Sequence, residues 1–260
     1  MSKYARLIAG SDISNVLCGI SCDSLVLTFV DKTHIEMLRL FVLFWRKHEL
    51  NNLIIVCLDE ETTAYVNEAR LNGIHVPYSI TSRHKFWRIR TDIINHIFKL
   101  TKKNIIHTDV DCFWFKNIIP QLESDQADVY YSTANGFPEE IRRRHGFVLC
   151  CGFYFVKYNE RTKNYFDNML LHAATQDDQV LSNNFIFETA TQIHTTPNEE
   201  LSRMVILLKS NVTVCAIKNE IIPRSPDLVT STKCQLFHPY LSGSSSEKVT
   251  AFANYVLPRL

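Results

Sequence analysis

No uninterrupted apolar run in this 260-residue chain approaches the length of a membrane span. The most hydrophobic stretch, Met37 to Trp45, is broken by Arg39 and is about half as long as a bilayer requires. The start carries Lys3 and Arg6 but no apolar core of secretory length, so a soluble, cytoplasmic chain with no membrane span is expected. An excess of charge of one sign is also missing. With 28 basic and 27 acidic residues the net charge is +1, and no basic, aromatic-rich stripe is present, which speaks against nucleic acid or an anionic membrane as partner. Repeats, low-complexity tracts and a convincing linker are lacking too. Cys18-x3-Cys22 could begin a zinc site and adjacent Cys150 and Cys151 could form a redox pair, yet no second C-x-x-C or H-x3-H completes either. Cys57, Cys112 and Cys215 sit inside apolar strand-like runs, as reduced buried thiols do.

What is present is enough apolar material, 46% of residues, for one large domain or two small ones. Leu25 to Val30 and Leu53 to Leu58 are short apolar runs of strand length separated by a helical pattern from His34 to Glu49, which makes a βαβ unit. Further helices are expected from Glu61 to Asn72, closed by Gly73 as a C-terminal cap, and from Phe86 to Leu100. Strands and helices therefore alternate up to a strand at Asn104, which implies a mainly parallel sheet covered on both faces. Beyond Pro120 the order is less regular. Strands are expected at 128–132, 152–157, 212–217 and 234–237, helices at 160–173 and from Asp177, a basic loop at Arg142 to His145, and a mobile loop in the Gly- and Ser-rich LSGSSSEK.

The most informative segment is NIIHTDVDCFWF, residues 104–115, an apolar run that ends in Asp109-Val110-Asp111. If these residues continue the strand, period-two alternation points both carboxylates to one face, where they can converge on a hard divalent cation. Carboxylates against an apolar strand cost several kcal/mol per charge, roughly, unless a cation or strong donors neutralise them. The position also fits a site, because ligands of open α/β sheets bind outside the carboxyl ends of strands.

The order of motifs around this triplet resembles the nucleotide-diphospho-sugar transferases of GT-A type fold, and is similar in particular to the family that includes plant rhamnogalacturonan xylosyltransferases. The segments that carry the resemblance are HKFWRIRTDIINHIF before HTDVDCFWFKN, then LCCGFYFVKYNERTKNYFDNML, DDQVLSNN and FHPYLSGSSSEK. It implies a single α/β domain over residues 1–260, a GT-A-like, Rossmann-like α/β/α sandwich with a nucleotide-binding half (1–120) and an acceptor-binding half (121–260). The activity implied is metal-dependent transfer of a sugar from a UDP-sugar, UDP-xylose being the guess with galactose and glucose open, to a glycan or glycoconjugate acceptor, with retention favoured over inversion. Eukaryotic members usually carry a membrane anchor, so a chain without one suggests a bacterial or viral source, or a trimmed sequence. Cys151 departs from the family pattern, which often has Asn before this Gly, and this puts one expected hydrogen bond to the donor sugar in question.

Transfer from a nucleotide diphosphate requires a cation to stabilise charge on the departing pyrophosphate. Asp109 and Asp111 can hold Mn2+ or Mg2+, and His238 as a nitrogen ligand would favour manganese. A histidine before Pro239 is as readily a core or capping residue. Lys85, Arg88 and Arg90 open the helix that feeds the acidic strand; Lys85 and Arg88 are candidates for the diphosphate or uridine, against a reading as solvated charge. Lys248 could close over the phosphates. Thr28 and Asp59 lie late in their strands, where a nucleotide pocket would be lined, although Asp31 and Asp59 serve equally as helix caps. Of Asp177 and Asp178, one should cap the next helix and the other, taken as Asp178, should face the site with Gln179 near the anomeric carbon. Tyr130, Tyr131 and Phe137 could stack on an acceptor or belong to the core.

Two rivals remain at this point. A haloacid-dehalogenase-type phosphoryl transferase also ends a strand in D-x-D, but its motif lies early and is followed by Thr or Val, where this chain has Cys112. A scaffold with structural carboxylates is the other.

Overall fold

The structure is a computed structural model that describes residues 16–17, 20–48, 50–76, 83–171, 177–196, 200–239 and 245–259. Eleven strands and eight α-helices appear among these residues. β1 (Ser24–Val30), β2 (Leu53–Cys57), β3 (Gly73–His75) and β4 (Asn104–Thr108) are interleaved with α1 (Ile35–Lys47), α2 (Glu60–Glu68) and α3 (Arg83–Thr101). β5 (Phe113–Trp114), α4 (Ile119–Ser124), β6 (Val129–Ala134), α5 (Glu139–His145), β7 (Val148–Val156), α6 (Glu160–Leu171) and α7 (Asp178–Thr189) follow. The chain then forms β8 (Ala190–Thr195), β9 (Ser202–Leu208), β10 (Thr213–Ile217), β11 (Leu236–Phe237) and α8 (Ser245–Tyr255).

Nine strands make one sheet in the order β3-β2-β1-β4-β7-β6-β10-β9-β8. The pairings of β1 with β2 and β4, of β2 with β3 and of β6 with β10 are parallel, while β7 and β9 run against their neighbours. Seven strands therefore point one way, and the sheet is mainly parallel as the alternation implies. One face is packed by α3, α6 and α7 through Ile93, Ile97, Tyr165 and Phe185. The other is packed by α1, α4, α8 and the small β5-β11 sheet through Phe41, Trp45, Leu122, Trp114 and Phe252. The result is an α/β/α sandwich. Helix α1 shows why: Met37, Leu38, Phe41, Phe44 and Trp45 recur every three or four residues and bury one stripe.

Several expected boundaries move. α2 ends at Glu68, and Arg70, at φ 54°, turns the chain out of the helix. Gly73 does not cap it; it opens β3, where a Cβ would come within 2.6 Å of Val66. The run Arg142 to His145 is not a loop but the last turn of α5, closed by Gly146 in the left-handed conformation at φ 79°. Arg143 and Arg144 pair with Glu139 and Glu140 at i,i+4 on an exposed face, so the acidic residues one turn earlier make this a helix. Of the stretch read as a mobile loop, Ser245 to Lys248 begin α8, and 241–244 lie outside the described residues. Among the described residues no helix is long and apolar enough to cross a membrane. No disulfide joins the seven described cysteines to one another, and Cys18 lies outside them. Cys150 and Cys151 face opposite sides of β7, Cys150 toward Arg224 and Cys151 toward Ser182, so they do not form a pair.

Candidate active site

β4 ends at Thr108, and Asp109-Val110-Asp111 forms a tight turn beyond it, closed by the Cys112 N–H donating to the Asp109 carbonyl at 3.0 Å. The expected strand alternation is therefore corrected: the turn, not the pleat, brings the two carboxylates together. His238 arrives from 127 residues further on. Leu236 and Phe237 pair antiparallel with Trp114 and Phe113, and this register carries the next residue, His238, across from Cys112 at the end of the acidic turn. His238 Nε2 lies 3.6 Å from Asp109 Oδ2 and 3.5 Å from Asp111 Oδ1, and one ligand atom from each residue falls within 4.8 Å of the others.

The remaining carboxylate oxygens are already held. Asp109 Oδ1 accepts from Arg90 Nη1 at 2.9 Å and from His107 Nε2 at 3.2 Å. Asp111 Oδ2 meets Lys248 Nζ at 2.6 Å. One oxygen of each acid is thus pinned from behind while the other faces His238, which leaves two carboxylate oxygens and an imidazole nitrogen converging. Gly152 on β7 supplies the space: a Cβ there would lie 2.0 Å from His238 Cε1 and 2.6 Å from Asp109 Oδ2. The set of hard oxygens plus one borderline nitrogen fits Mn2+ or Mg2+.

Electrostatics follow from burial and pairing. Burial alone would raise the Asp109 carboxyl, but Arg90, His107 and His238 hold it well below the usual carboxylate range. Burial likewise opposes ionisation of Asp111, and His238 and Lys248 bring it down to about 2. His107 is lowered to about 4 by burial and by Arg90, so it is neutral and donates Nε2–H to Asp109. Arg90, itself buried, also donates Nε–H to Asp178 Oδ2 at 3.0 Å and pairs with it through Nη2. One guanidinium therefore serves two carboxylates. Burial, with the nearby Asp177 and Asp109 charges, pushes Asp178 up to about 6 against the pull of Arg90.

α7 is seated by its first turn and by an amide. Asp177 caps it, accepting from Gln179 N at 2.7 Å and Val180 N at 3.3 Å, which frees Asp178 for Arg90. Gln179 accepts from Cys151 N at 3.3 Å and donates to the Phe137 carbonyl, so it ties β7 to the loop before α5. Buried Asn183 exchanges two hydrogen bonds with the Leu149 backbone, at 2.8 and 2.7 Å, and locks α7 onto β7.

The structure thus brings together Asp109, Asp111, His238, Lys248 and, through Arg90, Asp178, while Gln179 bonds Cys151 N and the Phe137 carbonyl instead. Asp59 stands apart: its two oxygens accept from Thr62 N at 2.8 Å and Lys32 N at 2.7 Å, as a helix cap does. Asp31 caps the short turn that follows β1. Thr28 is fully buried, on the face of β1 shared with Val26 and Val30, and its hydroxyl has no partner among the described residues. Lys85 and Arg88 lie in the first turns of α3, and their side chains are outside the described residues. Tyr130 and Tyr131 are buried core residues, the second of their two readings, whereas Phe137 is exposed. Sequence reasoning passed over His107 and Gly152, and it favoured Lys85 and Arg88 over Arg90. The helical period was the usable signal for Arg90, since it falls on the buried face with Phe86, Ile93, Ile94 and Ile97.

An α/β/α sandwich with its acidic turn at the carboxyl end of β4, faced by a histidine from the far end of the chain, defines the GT-A-like class of fold. The chain belongs to the nucleotide-diphospho-sugar transferase family, whose sequence profile matches residues 48–243. The beta-arabinofuranosyltransferase RAY1 of Arabidopsis thaliana is 28% identical over 174 residues, 58% of this chain and 30% of that relative. The match thus spans less than a third of the relative's length. Two solved structures share the fold. The bifunctional glycosyltransferase WbbM superposes with a TM-score of 0.54 at 12% identity, over 91% of this chain and 50% of its own. A glycosyltransferase involved in glycosylation of the PBCV-1 major capsid does so at 0.52 and 9% identity, over 90% and 100%. This membership leaves the phosphoryl-transfer and scaffold alternatives without support.

Proposed function

We propose that this protein is a metal-dependent glycosyltransferase that moves a sugar from a UDP-sugar to a hydroxyl of a glycan or glycoconjugate. The observation that carries the reading is the convergence of Asp109 Oδ2, Asp111 Oδ1 and His238 Nε2, with the other carboxylate oxygens pinned by Arg90, His107 and Lys248. These three residues would hold Mn2+ or Mg2+, the imidazole favouring manganese. The cation supplies charge stabilisation for the departing diphosphate.

The chain's own residues do the rest. Lys248, from the first turn of α8, sits where its ammonium can pass from Asp111 to the diphosphate. Asp178, paired with Arg90, can face positive charge at the anomeric carbon; the xylosyltransferase resemblance favours retention. Gln179 orients the neighbouring wall. Residues 1–120 would form the nucleotide half and 121–260 the acceptor half of one domain. A pentose donor, UDP-xylose or a nucleotide-linked arabinose, is the first to screen, given the xylosyltransferase resemblance and the activity in RAY1's name.

Titration calorimetry of UDP with and without manganese, on the wild type and Asp111→Ala, tests the reading. Manganese-dependent binding that disappears in the variant is expected. UDP binding that ignores manganese, or no binding at all, would overturn it.

A further inference from the structure

A cleft of about 360 Å3 opens beside the acidic cluster. This falls in the range of roughly 300–1,000 Å3 usual for small-molecule sites. Asn135, Asn219, Arg224, Ser225, Leu228 and Tyr255 line it. Two features connect it to the site. Arg224 reaches the cluster directly: its Nη1 donates to His238 Nδ1 and lies 3.3 Å from Cys150 Sγ. Pro239, the residue after His238, forms part of the wall.

Helix α8 supplies the second connection. Lys248, Ala251 and Tyr255 are spaced i, i+3 and i+7, so they share one stripe of the helix. Lys248 meets Asp111 at one end of the stripe, and Ala251 and Tyr255 line the cleft at the other. At 1.5 Å rise per residue the stripe runs about 10 Å from the acidic turn. Leu228 and Tyr255 are 41% and 43% exposed, large apolar groups turned to solvent across one cleft.

We infer that this cleft is the acceptor subsite and that it takes a neutral glycosyl residue. The inference rests on the glycosyl-transfer reading and specifies the acceptor class. The lining chemistry is that of a sugar: an aromatic ring and a leucine for the apolar face of a pyranose, two amides and a hydroxyl for its hydroxyl groups. No carboxylate lines it among the described residues, and its one cation, Arg224, is already engaged with His238 and Cys150. An anionic sugar would therefore gain no dedicated counter-charge. Arg224 and the Lys248–Tyr255 stripe join the cleft to the cluster, so a sugar bound there would sit within about 10 Å of the acidic turn.

Saturation-transfer NMR on the full chain with manganese and UDP tests this, with neutral methyl pyranosides (galactoside, glucoside, rhamnoside) as probes and glucuronate as the anionic comparator. Saturation transfer to a neutral pyranoside is expected, with roughly fivefold to tenfold weaker binding in Tyr255→Ala and in Asn135→Ala. Both positions are exposed, so an unchanged thermal midpoint will show that the variants fold. Transfer that is absent, that survives both substitutions, or that favours glucuronate would overturn the inference. UDP titration of the same wild-type sample reads the donor site separately, so loss of the donor reading is distinguishable from loss of the acceptor assignment.

Discussion

His107 never meets the cation position, yet it fixes Asp109 from behind together with Arg90. Removing such a supporting partner costs roughly 10–100-fold in metal affinity, and His107→Phe should weaken manganese binding by that order in a direct titration. Gly152→Ala tests the opposite constraint, since its new Cβ would overlap His238 and Asp109. Manganese-dependent UDP affinity should fall more than tenfold, with far-UV circular dichroism unchanged. The buried acids also give opposite signs of pH dependence. Asp109 and Asp111 are lowered, so the stability they contribute is present above the ordinary value of 3.8 and is lost as pH falls toward 2. Asp178 is raised, so its contribution is present below 3.8 and is lost as pH rises through about 6. Denaturant midpoints of the metal-free protein should therefore decline between pH 4 and 6, and Asp178→Asn should flatten that decline. At this scale the acidic triplet and the Asp177-Asp178-Gln179 start were legible because both sit at the ends of regular patterns. Arg90 and His107 were not, because a charged residue on a helix and a polar residue in an apolar strand gain their meaning only from partners 19 to 88 residues away or across a turn.

Helix α8 is the element on which both proposed subsites depend. It is held by Phe252, whose ring packs against Phe44 at 5.5 Å and Phe113 at 5.0 Å, linking α8 to α1 and to the short strand beside the acidic turn. Phe252→Ala should cost about 3–5 kcal/mol, and hydrogen exchange should accelerate in α8 before it does in β1 or β4. Sequence reading missed this helix because a Gly- and Ser-rich stretch precedes it and dominates the local composition. The β8-β9 hairpin was missed for a related reason: ATQIHT, exposed at the sheet edge, carries too few apolar residues to show a period. The strand expected at 234–237 holds β11, but its partner β5 was not legible, since a two-residue strand has no periodicity to read.

At the scale of the whole molecule, the βαβ order of the first 115 residues was legible, whereas the sheet order was not, because β7 inserts between β4 and β6 and no local pattern encodes that choice. The insertion joins the two halves of the chain in one set of ladders. A single calorimetric transition, with the van't Hoff and calorimetric enthalpies equal, is expected; two resolved transitions would separate residues 1–120 from 121–260. The pinning of the carboxylates has a further consequence, which concerns charge balance. Among the described residues Asp109, Asp111 and Asp178 are paired with Arg90 and Lys248, and Arg224 adjoins through His238, so these six charges cancel and would offer a free nucleotide diphosphate little net attraction. A divalent ion held there would tip that balance to positive, and the expected order of addition is cation first or cation and nucleotide together, with UDP alone binding weakly.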